Sequence, residues 1–254
     1  MSAKSEKGLL ILGARPIGDY KDSSLNLIEY IQTADVIMVE NSFPFYDLID
    51  ELKITIKGEL IDINVAQFFQ SGMLISQANL NKNIYEHIQI AVDRVREGKT
   101  VLLLSDEGMS SIIDPGVNYI TAFKRLNLPY KVMAGPSAIT LAASISNLAH
   151  SGFTFLGMIQ DNNNSNIIFE RIRDSKYPTI VYLRTKDDMV EFLENMSNVV
   201  GKNRLVTFCF NITKPDEDII EDTFENLLEI IANKRYNGGI AMVIGEYGRE
   251  RKNV

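Results

Sequence analysis

The sequence predicts an α/β protein built as two α/β domains with mostly parallel sheets, and three observations carry that reading. Short apolar runs alternate with stretches of helical period along the whole chain, the pattern of successive βαβ units. The runs at 36–39 and Thr100–Leu104 are unbroken Val, Ile, Met and Leu with a single leading Thr, as expected of strands buried on both faces of a parallel sheet. At 254 residues and 45% hydrophobic, the chain is long enough for a large core, and its length suits one big or two medium domains. A change of texture near residues 147–152 places the boundary there, giving an N-terminal domain 1–147 and a C-terminal domain 148–254.

Residues 8–12 read as the first strand, ended by the tight loop Gly13-Ala14-Arg15-Pro16-Ile17-Gly18-Asp19. Such a loop either carries backbone close to a ligand or is an ordinary Pro/Gly turn. Asp19-Tyr20 stands where a γ-phosphate loop would have Lys-Ser/Thr, so that ligand is not expected. Asp22 or Ser23 caps a helix to about residue 32, with Leu25, Ile28 and Ile31 on its buried face. Strand 36–39 ends in the acceptor-rich Glu40-Asn41-Ser42, which serves either a ligand or simple turn chemistry. A short helix follows at 44–52 and a strand at 59–63. Residues 65–77 show no clear period and read as a substrate-facing flap or a piece of dimer interface. The clearest helix is 79–97, with Leu80, Ile84, Ile88, Ala91, Val92 and Val95 in one stripe and His87 beside it in a packing role.

The chain is organised around TVLLLSDEGMSSIIDPG. Its strand Thr100–Leu104 stops at Ser105-Asp106-Glu107-Gly108, a polar, acidic turn, and a second break follows at Asp114-Pro115-Gly116. In open α/β sheets ligands bind beyond the carboxyl ends of the strands, so this loop is the first site candidate. A helix at 117–126, a strand at 130–133 and the turn Ala134-Gly135-Pro136-Ser137-Ala138 come next. Ser137 suits the N-cap of a helix at 138–148, either as a cap alone or with the first N–H groups receiving a ligand oxygen.

The second half alternates again. Strands are expected at 152–157, 179–182, 205–210 and 240–244, and helices at 167–173, 187–199 and 224–234, with a polar loop at 160–166. Lys214, after the strand 205–210, either meets an anionic substrate or sits in a solvated loop. Cys209 lies in an apolar run, where a free cysteine behaves as a small buried hydrophobe.

Composition narrows the class. One cysteine excludes an internal disulfide framework and fits a reducing compartment; with two separated histidines it provides no metal cluster, so no metal is expected. No run has the length of a membrane helix or of a signal-peptide core, so the chain reads as cytoplasmic. A net charge of −7 argues against coating nucleic acid non-specifically while leaving room for local basic patches such as Arg171 and Arg173 or the tail at Arg249.

Taken together, ARPIGD, VENS, SDEGMSSIIDPG, AGPSA, FLGMI, TIVYL and NITK, in that order, resemble the tetrapyrrole methylase superfamily of S-adenosylmethionine-dependent methyltransferases. The chain is most similar to its ribosomal RNA small-subunit methyltransferase I branch, which methylates a cytidine ribose 2′-hydroxyl. The resemblance implies two α/β domains with the donor, S-adenosyl-L-methionine, in a cleft between them, and a homodimer. It implies donor contacts at Pro16, Ser105, Asp106, Gly108, Met109, Ser137, Ala138, Tyr182, Cys209 and Met242. Ribosomal RNA or the small ribosomal subunit is the implied substrate.

Departures from the branch fall on the acceptor side. Glu40-Asn41-Ser42-Phe43 stands for Glu-Asp-Thr-Arg, Glu107 and Met109-Ser110 interrupt Ser-Asp-Ala-Gly-Thr-Pro, and Phe210-Asn211 replaces an Arg-Glu pair before Thr213-Lys214. These losses remove groups suited to gripping phosphate or poising a hydroxyl. Glu40, Asp114 and Lys214 are the residues left to serve the chemistry, Glu40 or Asp114 as a weak base. Three functions compete: a 2′-O-ribose RNA methyltransferase, a methyltransferase of the same fold with a small-molecule or peptide acceptor, and a non-catalytic binder of the donor.

Overall fold

A computed structural model describes residues 8–63, 82–149, 151–159, 165–184 and 189–246. The expected flap at 65–77, His150, most of the polar loop 160–166 and the basic tail lie outside the described residues. The chain divides into two compact units, Met1–Pro136 and Ser137–Val254.

In the first unit the order is β1 (Leu9–Leu12), β2 (Ala14–Arg15), α1 (Leu25–Thr33), β3 (Val36–Val39), α2 (Ser42–Glu51), β4 (Glu59–Asp62), α3 (Lys82–Arg96), β5 (Thr100–Leu104), β6 (Gly108–Met109), α4 (Gly116–Arg125) and β7 (Tyr130–Val132). Five strands form one sheet in the order β4-β3-β5-β1-β7, every pairing parallel. Alternate residues face opposite ways along each strand. Leu10, Leu12, Met38, Val101 and Leu103 therefore pack under α3 and α4, while Ile11, Ile37, Val39, Leu102 and Leu104 pack under α1 and α2. Both faces are covered, which is why these strands read as continuous apolar runs.

Helix α1 starts later than expected. Ser24 Oγ accepts from Leu27 N–H, so the cap is neither Asp22 nor Ser23. The buried stripe is accordingly Leu27 and Ile31, one turn apart, and Leu25 in the first turn is 85% exposed.

The second unit holds α5 (Ala138–Ile145), β8 (Thr154–Met158), α6 (Ser165–Arg173), β9 (Thr179–Arg184), α7 (Met189–Val200), β10 (Leu205–Phe210), β11 (Asp218–Thr223), α8 (Phe224–Ile231) and β12 (Gly239–Ile244). Its sheet runs β11-β10-β12-β9-β8, and here the expectation of a mostly parallel sheet is corrected: only β8 and β9 pair in parallel. The turn at 211–217 returns the chain directly into a hairpin with β11, which no crossover helix separates. Strand β11, DIIEDT, is rich in acid and is not among the strands that the sequence pattern predicts.

One face of this sheet packs Val181, Leu183, Phe208 and Met242 against α6, α7 and α8. The other packs Ile180, Cys209, Ala241 and Val243 against Ile139 and Ala142 of α5. Because α5 shares that core, the division falls after Pro136, whereas the sequence places it at residue 147.

Candidate active site

Strand β5 lies between β3 and β1, and all three run parallel, so their carboxyl ends open onto one edge of the first unit. The exits of β1 and β5 are sewn together by a short antiparallel ribbon in which Ala14 pairs with Met109 and Arg15 with Gly108. Gly108 takes φ 68°, a left-handed conformation that a side chain would strain. Ser110 is the internal strut of this junction: its hydroxyl donates to Gly13 O at 2.5 Å and accepts from Ser105 N–H at 3.1 Å. Gly116, at the start of α4, passes so close that an added Cβ would lie 1.8 Å from Ser110 O.

Arg15 is 1% exposed, and its guanidinium ties all three exits together. Nη2 donates to Pro44 O at 2.7 Å, Nη1 donates to Ser105 O at 3.4 Å, and Nη1 lies 3.8 Å from Asp106 Oδ1. Glu40, at the end of β3, accepts the Asp106 N–H on Oε2 at 3.1 Å. Among the described residues, four polar atoms at this edge are buried with no hydrogen-bond partner: Arg15 Nε, Glu40 Oε1, Asp106 Oδ1 and Tyr119 Oη. Asp106 turns one oxygen inward while its side chain as a whole stays 43% exposed.

This crowding of carboxyl groups shifts their titration. Burial raises Glu40 to about 7; the Asp106 carboxylate adds to the rise, and the Asp106 N–H and Arg15 oppose it. Burial likewise raises Asp114 to about 8, reinforced by the negative charges of Glu40, Asp106 and Glu107. Asp106 is raised by burial and held back by Arg15, whose own value burial lowers. Tyr119 is raised by burial and by Glu40. Glu40 and Asp114 feel each other, so they give up protons as a pair across the neutral range. The residue before Asp114 is Ile113 at φ 63°, a conformation rarely tolerated by a β-branched side chain.

Of the residues expected from sequence, Glu40, Asp106, Gly108, Met109 and Asp114 gather at this edge, and Pro16 is buried beside it. Ser105 is 1% exposed, its Oγ within 3.3 Å of Glu107 O, Gly108 O and Ser110 Oγ, so it shapes the loop from inside. The turn before Ser137 reaches the same place, because an added Cβ on Gly135 would meet Ala14 Cβ at 2.4 Å and one on Gly108 would meet Pro136 O at 3.5 Å.

In the second unit, Ser137 occupies the N-cap of α5, but its hydroxyl makes no capping bond. Cys209 and Tyr182 both pair with Ala241 and lie on the α5 face. The thiol of Cys209 is buried and pushed up to about 12, chiefly by desolvation, so it is an inert packing group. Met242 points to the opposite face, fully buried under α6, α7 and α8, so its side chain is core and not ligand surface. Lys214 sits in the β10–β11 turn, its N–H bonded to Asn211 O.

In the sequence Arg15 stands out only as part of a loop, and no local pattern gives Ser110 or Tyr119 a role. An Arg beside Pro in a strand-exit turn and a Tyr on an apolar helix face were the available signals. The chemistry of the edge is acceptor-rich: it attracts a cation, accepts hydrogen bonds from hydroxyl or amino groups, and takes up a proton near neutral pH. Among the described residues no group of His, Cys, Asp or Glu is arranged to hold a metal ion.

The family model described as Tetrapyrrole (Corrin/Porphyrin) Methylases matches residues 9–228. A ribosomal RNA small subunit methyltransferase I of Thermotoga maritima is 24% identical over 237 residues, covering 93% of this chain and 98% of the relative. Among solved structures, a diphthine synthase matches with a TM-score of 0.66 at 16% identity, over 94% of this chain and 90% of its own. A uroporphyrin-III C-methyltransferase from Thermus thermophilus, complexed with S-adenosyl homocysteine, matches with a TM-score of 0.59 at 15% identity, over 94% of this chain and 97% of its own. At such identity the structural matches speak for the fold.

Proposed function

The chain belongs to the tetrapyrrole methylase family and is an S-adenosylmethionine-dependent methyltransferase; on that premise we propose that its acceptor is the ribose 2′-hydroxyl of a cytidine in small-subunit ribosomal RNA. The acceptor class follows relatives such as the Thermotoga maritima enzyme, similar over nearly the whole chain. The observation that carries the site assignment is the convergence of Arg15, Glu40 and Asp106 from the exits of three neighbouring strands, with buried acceptor atoms left open.

The edge fits the donor. Glu40 Oε1 and Asp106 Oδ1 are buried acceptors without hydrogen-bond partners, suited to the amino and hydroxyl groups of a sulfonium nucleoside, and the local negative charge favours its positive sulfur. Pro16, Gly108 and Met109 are proposed contacts at the same exits. When bound, the donor supplies an electrophilic methyl group. The acceptor oxygen's lone pair forms the new O–C bond, the S–C bond breaks with its electrons passing to sulfur, and the hydroxyl proton goes to Glu40 or Asp114. Both carboxyl groups are poised for that uptake, since their raised values lie near neutral pH. Holding the two reactants in line contributes most, about 7–11 kcal/mol of barrier in well-aligned systems. Lys214 is proposed to meet an anionic part of the acceptor, and the working assembly is proposed to be a homodimer.

A second reading, a peptide or small-molecule acceptor, is favoured by the acidity of the edge, where Glu40, Asp106, Glu107 and Asp114 face one buried Arg15. Transfer of labelled methyl from S-adenosylmethionine decides between them. Label entering small ribosomal subunits at a ribose supports the first reading; label entering only peptide or small-molecule fractions of a cell extract supports the second.

A further inference from the structure

Helix α2 presents an unusual outer stripe. Phe43, Tyr46, Asp47 and Asp50 share one exposed side at helical spacing, while Phe45 and Leu48 face the core. Phe43 is 78% and Tyr46 51% exposed. Two neighbouring aromatic rings left in water on a structured helix mark an interaction surface.

The stripe is rigidly mounted. Asn41 Oδ1 accepts from Phe43 N–H at 3.0 Å, Asp62 Oδ2 accepts from Ser42 N–H at 3.0 Å, and Arg15 Nη2 fixes Pro44 O at 2.7 Å. The ring of Tyr46 also leans on that of buried Phe45, centroids 6.4 Å apart. A surface held this firmly binds without having to order itself first.

Its charge selects the occupant. Helix α2 carries Asp47, Asp50 and Glu51 and no Lys or Arg, and Glu40 and Asp62 flank its start. Phosphates are repelled there, whereas a cation is drawn in by the carboxylates and held over the ring faces. Guanidinium suits both features better than ammonium, because it stacks flat on aromatic rings and forks onto carboxylates. We propose that Phe43, Tyr46, Asp47 and Asp50 dock an arginine-bearing segment of a protein partner beside the carboxylate edge. This docking surface does not depend on which acceptor is methylated.

The test measures fluorescence anisotropy of a labelled oligoarginine peptide on the full chain, with oligolysine and oligoglutamate of equal length as references. Phe43→Ser with Tyr46→Ser leaves the charge unchanged and is expected to weaken oligoarginine binding by at least about tenfold. Asp47→Asn with Asp50→Asn is expected to weaken it comparably. Glu225→Gln with Glu229→Gln on exposed positions of α8 removes the same charge and is expected to leave it within about twofold. Equal weakening by the α8 pair, or none by the aromatic pair, overturns the proposal. So does a shift in oligomeric state of the aromatic variant in the ultracentrifuge, which assigns the stripe to a second copy of the chain. An oligoribonucleotide whose binding the aromatic variant abolishes overturns it in favour of RNA.

Discussion

The Asp106 N–H donates to Glu40 Oε2 at 3.1 Å, joining the exits of β3 and β5 and leaving Glu40 Oε1 buried and open. One carboxyl group thus does two jobs, bracing the loop with one oxygen and presenting the other. Its raised value, about 7, comes first from burial, with the Asp106 carboxylate adding to it.

Glu40→Gln separates the two jobs, because the amide oxygen still accepts from Asp106 N–H while proton uptake is lost. Methyl transfer is expected to fall by about 100-fold, and donor affinity to weaken as well, because the amide NH2 then stands where Oε1 accepts from the donor. Single-turnover rates and calorimetric affinity on the same variant check this pair of outcomes.

The same shifts make stability depend on pH. In the unfolded chain Glu40 and Asp114 lose their protons near 4.5 and 3.8; folded, they keep them to about 7 and 8. Over that window the unfolded state binds fewer protons, so stability falls as pH rises. Melting temperatures at pH 5.5 and 8.5 are expected to differ less in Asp114→Asn than in the parent. At pH 8.5 the variant should be the more stable by about 1 kcal/mol. Transfer activity runs oppositely, rising with pH as the pair deprotonates.

Arg15→Met removes the buried fork that joins Pro44 O, Ser105 O and Asp106, leaving two carbonyls and a carboxylate short of a partner. A loss of about 3 kcal/mol is expected in denaturant unfolding. Arg15→Lys is expected to recover little, since an ammonium lacks the planar fork.

Gly116→Ala tests the packing behind the loop. A methyl group 1.8 Å from Ser110 O cannot be accommodated without moving the backbone, so a loss of at least about 2 kcal/mol is expected. Thermal unfolding gives the number, and donor affinity should weaken alongside it as the Ser110 strut shifts.

These residues also mark how far the sequence could be read. The first sheet was legible because burial on both faces leaves strands such as Thr100–Leu104 uniformly apolar, and its edge was legible because acidic turns follow those strands. The second sheet's direction was not, because hairpin and crossover connections leave similar apolar runs, and acidic β11 resembles a loop. Which side a strand residue faces depends on register: Cys209 and Met242 were taken together, yet they lie on opposite faces. The roles of Arg15 and Ser110 arise from contacts far apart in the chain, Arg15 with Ser105 and Ser110 with Gly13, which no local pattern encodes.

The account rests on the carboxyl edge of the first sheet binding the methyl donor, and calorimetric titration of S-adenosylhomocysteine into the parent chain and Asp106→Ala tests it most directly. Saturable binding by the parent, weakened at least about tenfold in the folded variant, is the expected result. Equal affinity in the two chains, or no binding by the parent, would contradict it.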